Sequence, residues 1–238
     1  MGDTEQIANG ELTVVVMAKR PEPGHVKTRL VTAGGLDADR AAELAWAMLA
    51  CTVERVSRLG RVVLAVSPDG AGPSMAERLE DVAEVIVVDQ GAGDLGDRLA
   101  RVWATLGGRV PIAFFGTDSP DLPVGHLAAL RDGLVAADVV VGPTSDGGYW
   151  GLGTRRHIPD IFARIDWGTE TVYDRTCARV SELDLELGRL PGWHDVDLPD
   201  DLAAMRERLA GVRGDRALDT LGAELARLVD SRGEAPRP

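Results

Sequence analysis

Lysine is almost missing from this 238-residue chain, which has only Lys19 and Lys27 and otherwise uses arginine as its cation. Cysteine is as rare: Cys51 and Cys177 lie in apolar, helix-like stretches, and no CxxC spacing indicates a metal or redox site. We therefore expect both thiols to be buried hydrophobic side chains rather than a disulfide or a metal pair.

Long apolar runs are missing as well. No run approaches the roughly 18 residues that a membrane-spanning helix needs, and residues 1–10 are polar, without the apolar core of a signal peptide. A net charge of -12 argues against general nucleic-acid binding. From these absences we expect a cytoplasmic protein with no membrane partner and no nucleic-acid partner.

Shorter apolar runs alternate with helical patterns along most of the chain, beginning with the continuous run at 12–17. Such alternation is typical of parallel strands joined by helices. It predicts one three-layer α/β/α domain of Rossmann-like type with a mainly parallel sheet, in which residues 149–153 form one antiparallel strand. We expect the domain to cover 12–210, a C-terminal helix within 211–230 to pack on it, and 1–11 and 231–238 to be flexible tails.

Both lysines lie in one loop directly after the first predicted strand. Residues 19–29 contain four cations and one acid, a local charge of +3 in a strongly acidic chain. The loop is also rich in glycine and proline, and cationic loops between a first strand and a first helix hold phosphate groups in α/β proteins. Because the chain otherwise uses arginine, the two lysines further indicate a role that arginine performs poorly.

Acidic side chains follow two later strands. Asp118 comes just after a buried apolar run, and Asp195 and Asp197 alternate along an extended segment, so both share one side. Because ligands of open sheets lie outside the carboxyl ends of the strands, we expect these groups and the cationic loop in one crevice. Two carboxylates from separate strand ends suit Mg²⁺, which keeps several waters and bridges to substrate phosphates. A helix cap or a turn is the alternative role for Asp118.

Residues 91–96 form a literal G-x-G-x-x-G between a strand and a helix, the pattern of a dinucleotide-binding site. Two observations disfavour that interpretation. Earlier strands precede the motif, and Asp94 would place an anion where a pyrophosphate has to approach. A tight strand-to-helix turn and a ligand loop of another kind remain open.

Two further stretches predict contact with a ligand. The run Asp146-Gly147-Gly148 allows the backbone to approach a ligand closely, although a plain turn would use the same residues. Trp167 is a candidate for stacking against an acceptor. Thr169 is either part of the same site or a helix cap.

Together these stretches resemble the DUF2064 family, a group also named rSAM/selenodomain-associated transferase 1. The first of five ordered motifs, KRPEPGHVKTRL at 19–30, is similar to the family signature AKxPxPGxxKTRL; the others lie at 90–99, 118–123, 146–149 and 167–171. The resemblance spans about residues 12–210. It implies the GT-A fold of nucleotide-diphospho-sugar transferases, which is shared by nucleotidylyltransferases and CMP-Kdo synthetases.

The resemblance implies a transferase that depends on Mg²⁺ or Mn²⁺ and uses a nucleotide substrate and a small-molecule acceptor. The family label leans to glycosyl transfer from an NDP-sugar, whereas the cationic loop favours nucleotidyl transfer from an NTP. A nucleotide-binding protein without turnover is a further alternative. The roles implied are catalytic for Lys27, Arg29 and Asp118; nucleotide-binding for Lys19, Gly24, Lys27, Arg29, Gln90, Gly93 and Gly96; acceptor- or sugar-binding for Asp146, Gly147, Gly148, Trp167 and Thr169; and metal-binding for Asp118 and Asp197.

The chain departs from the superfamily in two places. It lacks the glycine-rich AAGxGxRM start of nucleotidylyltransferases, and Asp118-Ser119-Pro120-Asp121 stands in place of a strict D-x-D. Both departures leave the reaction type open. The choice between a monomer and a homodimer is open too.

Overall fold

The computed structural model describes residues 11–34 and 36–230. Within them, the strands are β1 (Leu12–Lys19), β2 (Gly60–Ser67), β3 (Val85–Asp89), β4 (Ile112–Phe115), β5 (Val139–Pro143), β6 (Tyr149–Thr154) and β7 (Leu187–Arg189). The α-helices are α1 (Thr28–Gly34), α2 (Ala38–Val56), α3 (Gly72–Arg78), α4 (Leu95–Thr105), α5 (Val124–Ala136), α6 (Val172–Glu182), α7 (Pro199–Ala210) and α8 (Arg216–Asp230), and a short 3₁₀ helix covers Pro159–Phe162.

All seven strands belong to one sheet with the order β3-β2-β1-β4-β6-β5-β7. Strand β6 runs antiparallel to β4 and β5, and the other neighbours are parallel. The predicted α/β fold, a mainly parallel sheet with one antiparallel strand at 149–153, is therefore confirmed.

Alternation along the strands distributes the apolar side chains over two layers. In β1, Val14 and Val16 pack with α2, α3 and α5 on one face, whereas Val15 packs with α4, α6 and the 3₁₀ helix on the other. Both faces of the sheet are covered, which explains why β1 reads as a continuous apolar run rather than an alternating one. The three-layer prediction is confirmed with it.

A third apolar cluster joins the last helix to the domain. Leu221 and Leu225 of α8 pack with Leu44 and Met48 of α2 and with residues of α7. Both predicted tails lie outside the described residues, apart from Glu11. Nowhere in residues 11–34 or 36–230 is a helix long and apolar enough to cross a bilayer.

Three local expectations can be compared with the structure. Cys51 and Cys177 are buried free thiols, as expected. Helix α1 was not predicted, because its seven residues are too few to show a helical period. Thr169 does not cap α6: the helix begins three residues later, and the Thr169 hydroxyl donates to the carbonyl of Asp166 at 2.8 Å within the preceding turn.

A buried ion pair fixes the segment that follows β4. The Asp121 side chain is only 3 % exposed, and Arg208 of α7 donates to it at 2.6 Å. The Trp193 indole donates to the same carboxylate at 3.2 Å, and the Arg208 guanidinium lies 5.4 Å from the centre of that ring. Asp121 therefore anchors α7 to the segment that follows β4.

Replacing Arg208 tests this anchor. Arg208→Met keeps an apolar stem but leaves the Asp121 carboxylate buried without its cation, so we expect the free energy of unfolding to fall by about 2–4 kcal/mol. Arg131→Met is the matched control, because Arg131 pairs with Asp132 on the surface, where both side chains are more than half exposed. The free energy of unfolding of this control should fall by less than about 0.5 kcal/mol. If urea denaturation gave equal decreases for the two variants, the anchoring role of Arg208 would be contradicted.

Candidate active site

A cleft of about 770 Å³ opens beyond the carboxyl ends of β1 and β4 and beside the turn that joins β5 to β6. Five of the stretches predicted to carry site residues line it. They contribute, among others, Lys27 and Arg29, Asp118, Asp146, Trp167 and Asp197. The expectation that the polar clusters share one crevice thus agrees with the structure.

At the centre of the cleft, the Lys27 ammonium lies between two carboxylates. It donates to Oδ1 of Asp118 and, at 3.1 Å, to Oδ1 of Asp197, and a third bond runs to the carbonyl of Val196 at 2.7 Å. The Lys27 side chain is only 8 % exposed. The predicted phosphate-binding lysine and the predicted metal carboxylates therefore contact one another directly.

Main-chain and hydroxyl contacts bring the two carboxylates together. The amide of Val196 donates to the carbonyl of Asp118 at 2.8 Å, which ties the exit of β4 to the extended segment before α7. Next to this bond, the Ser119 hydroxyl donates to Asp195 at 2.6 Å. Because Asp195 and Asp197 alternate along that segment, both reach the cleft.

Burial and charge act on the titratable groups at this point. Burial disfavours the ammonium of Lys27, but Asp118 and Asp197 outweigh it and raise the pKa of Lys27 above its usual value. Burial is also the main influence on Asp195 and, with the charges of Asp146 and Asp118, raises its pKa to about 7. Asp195 was not among the residues assigned to the site; the alternation of acids was the only signal that pointed to it.

Asp146 shapes the turn between β5 and β6. Its Oδ1 accepts the Thr144 hydroxyl at 2.6 Å and the Gly148 amide at 3.0 Å. Burial opposes ionisation of this carboxyl, but these bonds prevail and hold its pKa below the usual range. The Gly147 carbonyl accepts the amide of Tyr173 at 2.9 Å, so the turn is tied to the start of α6.

Other cations of the loop retain unused donors. The Arg29 side chain is exposed at the cleft and makes no hydrogen bond or ion pair with any residue that the structure describes. The Lys19 ammonium makes a single bond, to the carbonyl of His25 at 2.8 Å. Gly24 lies in the same loop with φ of +77°, a conformation that favours glycine. In this conformation Arg29 and Lys19, rather than Lys27, have donors available for phosphate oxygens.

Part of the cleft wall is apolar. Leu95 is 42 % exposed there, beside Leu99, Phe114, Tyr149 and Trp167. The rings of Tyr149 and Trp167 meet edge to face with centroids 6.3 Å apart. The Trp167 indole packs directly against Gly96 at the start of α4. This contact requires glycine, because a side chain at this position would overlap the indole. A flat ligand group could contact this wall while its phosphates contact the cationic side.

Gln90 and Gly93 do not line this cleft. The Gln90 side chain is buried and donates to the carbonyls of Ala18, at 3.2 Å, and Ala65, at 2.8 Å, so that it links β1 to β2. The nucleotide-binding role implied for Gln90 stays a prediction.

The glycine-rich motif before α4 makes a capped helix start. Asp94 is the N-cap residue, accepts the amide of Asp97 at 2.9 Å and completes a capping box with it. A carboxylate thus holds the position that a pyrophosphate would need at this helix end. The helix start fits the tight-turn interpretation, and the nucleotide-binding role implied for Gly93 and Gly96 stays a prediction.

The donor set fits a hard divalent cation. Asp118 and Asp197 offer carboxylate oxygens from separate segments, as Mg²⁺ prefers, and Lys27 uses only Oδ1 of each. The residues described contain no cluster of three or more His, Cys, Asp or Glu side chains that could hold an ion. Two protein carboxylates would therefore leave most coordination positions to water and substrate.

The model of a family described as "uncharacterized protein conserved in bacteria (DUF2064)" matches residues 51–169, which are half of the chain. The chain belongs to the DUF2064 family. The matched range includes Asp118, the Asp146 turn and Trp167 of the cleft, but neither Lys27 nor Asp197. No curated protein sequence matches this DUF2064 protein significantly.

Among solved structures, this DUF2064 protein is similar to a candidate nucleotide-diphospho-sugar transferase from Desulfovibrio desulfuricans G20. The two chains are 28% identical, with a TM-score of 0.77 and coverage of 92% of this chain and 98% of the other. A cytidylyltransferase from Leptospira borgpetersenii shares the fold at 13% identity and a TM-score of 0.55, over 96% and 99% of the two chains. The synthetase of CMP-2-keto-3-deoxy-manno-octonic acid, solved with CTP, also shares the fold. Its identity is 11% and its TM-score 0.54, with coverage of 84% of this chain and 98% of the other.

The turn at Gly147 offers a test of how the cleft is built. A methyl group at Gly147 would overlap the carbonyl of Glu170, and its φ of +88° disfavours other residues, so Gly147→Ala should lower the free energy of unfolding by about 1–3 kcal/mol. Gly116→Ala is the control, because it also lies at the cleft but has open space around it. That variant should change stability by less than about 0.5 kcal/mol. Thermal melts of the two variants that coincide would rule out the close approach at Gly147.

Proposed function

We propose that this protein is a nucleotide-dependent transferase of GT-A type that moves a glycosyl group from an NDP-sugar to a small-molecule acceptor. One observation carries the proposal. Cationic side chains, paired carboxylates and an aromatic wall, which come from separate parts of the chain, meet in one cleft at the carboxyl ends of the strands. In α/β proteins this position is where ligands bind.

Similarity to solved structures supports the choice of substrate class. The candidate nucleotide-diphospho-sugar transferase matches nearly the whole chain at 28% identity. The cytidylyltransferase and the CTP-bound synthetase support the fold alone, because their identity is far lower. A nucleotide substrate is the feature that their names share.

The cationic loop would bind the diphosphate of the donor. Arg29 has a planar guanidinium with unused donors, which suits the paired oxygens of a phosphate group. Lys19 adds a point charge beside it. Both side chains would stabilise the negative charge that builds up on the leaving diphosphate.

Asp118 and Asp197 would hold the divalent cation, Mg²⁺ or Mn²⁺. A cation bound there supplies charge neutralisation for phosphate oxygens as the leaving group departs. Elsewhere in the cleft, the Asp146 turn and Trp167 would position the sugar and the acceptor. Asp146 can accept hydrogen bonds from hydroxyl groups, and Trp167 offers an apolar face to a sugar ring.

Nucleotidyl transfer from an NTP is the second candidate. The density of cations favours it, because Lys19 and Arg29 both line the cleft and a triphosphate presents more charge than an NDP-sugar. The same residues would act in either reaction. Only the group that leaves differs: an NDP in glycosyl transfer and pyrophosphate in nucleotidyl transfer.

A ligand screen separates the candidates. Thermal shift with NTPs and NDP-sugars, each with and without Mg²⁺, should show stabilisation by an NDP-sugar in the presence of Mg²⁺. At a ligand concentration of about 100 Kd the gain is about 2.7 kcal/mol. Stabilisation confined to NTPs would select nucleotidyl transfer. No shift with any nucleotide would contradict both.

Asp118→Asn tests the proposed chemistry. The change removes a charge from the carboxylate pair but keeps the shape of the side chain, so we expect turnover to fall by about 10²-fold or more. The released NDP or pyrophosphate is the quantity to measure, with the nucleotide found by the screen. Asp132→Asn, on the exposed side of α5, should retain the wild-type rate. Normal turnover by Asp118→Asn would remove Asp118 from the active site.

A further inference from the structure

Lys27 has no donor left for a substrate. An ammonium group has three N–H bonds, and its three acceptors here are Asp118, Asp197 and the carbonyl of Val196. Arg29 and Lys19 of the same loop retain unused donors. Of the four cations of the loop, two are therefore available at the cleft, Lys27 is committed to the carboxylates, and Arg20 pairs with Glu22.

The committed ammonium lies between the two carboxylates that would hold a divalent cation. The side chains of Asp118 and Asp197 are 50 % and 40 % exposed, whereas the Lys27 side chain is 8 % exposed between them. A metal ion on the same pair would lie within a few ångströms of a like charge, and like charges repel strongly in a partly desolvated site. The ammonium therefore opposes the binding of a metal ion to this pair.

The backbone at Lys27 is held in a conformation that lysine seldom adopts. Its φ of +47° lies in the left-handed region, which disfavours side chains with a Cβ. Thr28 then begins α1, and Gly24 precedes at φ of +77°. The three contacts of the ammonium, together with the bond from the Leu30 amide to the Lys27 carbonyl at 3.0 Å, hold this conformation in place.

We infer that Lys27 is a removable counter-ion: its ammonium balances the Asp118–Asp197 pair in the nucleotide-free protein, and a divalent cation takes its place only when phosphate groups are there to accept the ammonium. The inference rests on the proposed nucleotide-dependent function. Its consequence is that metal and phosphate bind cooperatively. Metal alone binds weakly because it has to displace a built-in cation.

Titration of Mn²⁺ without any nucleotide tests the competition. Lys27→Met removes the competing charge, so Mn²⁺ should bind the variant about tenfold more tightly than the wild type, the effect of removing one charge-assisted contact. Lys19→Met is the matched control, since it removes the same charge from the same loop but its ammonium contacts only a carbonyl. Its Mn²⁺ affinity should stay within about twofold of the wild type. Equal or weaker Mn²⁺ binding by Lys27→Met would overturn the inference.

A second measurement uses the wild-type protein and does not depend on the variant's folding. Because the chain has only two lysines, protein labelled with ¹³C at lysine Cε should give two NMR signals, and Lys19→Met identifies the one from Lys27. Inorganic diphosphate is the probe for the phosphate groups. The Lys27 signal should stay in place with Mg²⁺ alone and move when Mg²⁺ and diphosphate are added together. A signal that stays in place while both bind would show that Lys27 is a permanent partner of the carboxylates.

The two hypotheses can fail separately. If no NTP or NDP-sugar binds but Lys27→Met still tightens Mn²⁺ binding, the counter-ion competition stands and the proposed nucleotide function falls. If a nucleotide binds but Mn²⁺ affinity is the same in wild type and Lys27→Met, the nucleotide function stands and the inference about Lys27 falls.

Discussion

The contact between the Lys27 ammonium and the carboxylates of Asp118 and Asp197 is the constraint on which the cleft depends. It joins the loop after β1 to segments 91 and 170 residues further along the chain. Without a cation between them, the two carboxylates would repel each other at close range. The relative placement of three chain segments, and with it the shape of the polar end of the cleft, therefore depends on a positive charge at this point.

Buried charged side chains also fix the segment that follows β4, on the side away from the cleft. The Arg55 side chain is 3 % exposed and donates to the carbonyl of Pro120 at 2.9 Å, and its guanidinium lies 3.5 Å from Asp215 at the start of α8. Asp121 is held by Arg208 of α7 in turn. Asp118 therefore lies on a segment that is fixed on its inner side, while its carboxylate faces the cleft. Such rigid support suits a group that has to hold a charge in place during a reaction.

Much of the fold was predictable because it follows from local periodicity. The continuous apolar run of β1 is typical of a buried parallel strand, and the last helix shows the apolar period of a helix. Two local predictions failed for local reasons. Helix α1 is too short to show a period, and Thr169 uses its hydroxyl in a turn rather than as a cap. The role of Gln90 in linking β1 to β2 could not be predicted, because its acceptors belong to strands far away in sequence.

The sequence by itself determined which chemical groups follow the strands: cations after β1, and acids after β4 and before α7. Because strand ends meet at one edge of a sheet, it also determined that these groups lie together. Only the tertiary structure decided which of them pair. It joined Lys27 to the carboxylates, left Arg29 with unused donors, and buried Asp195 enough to raise its pKa. Pairing depends on distances of a few ångströms between distant segments, and no periodicity or spacing along the chain encodes those distances.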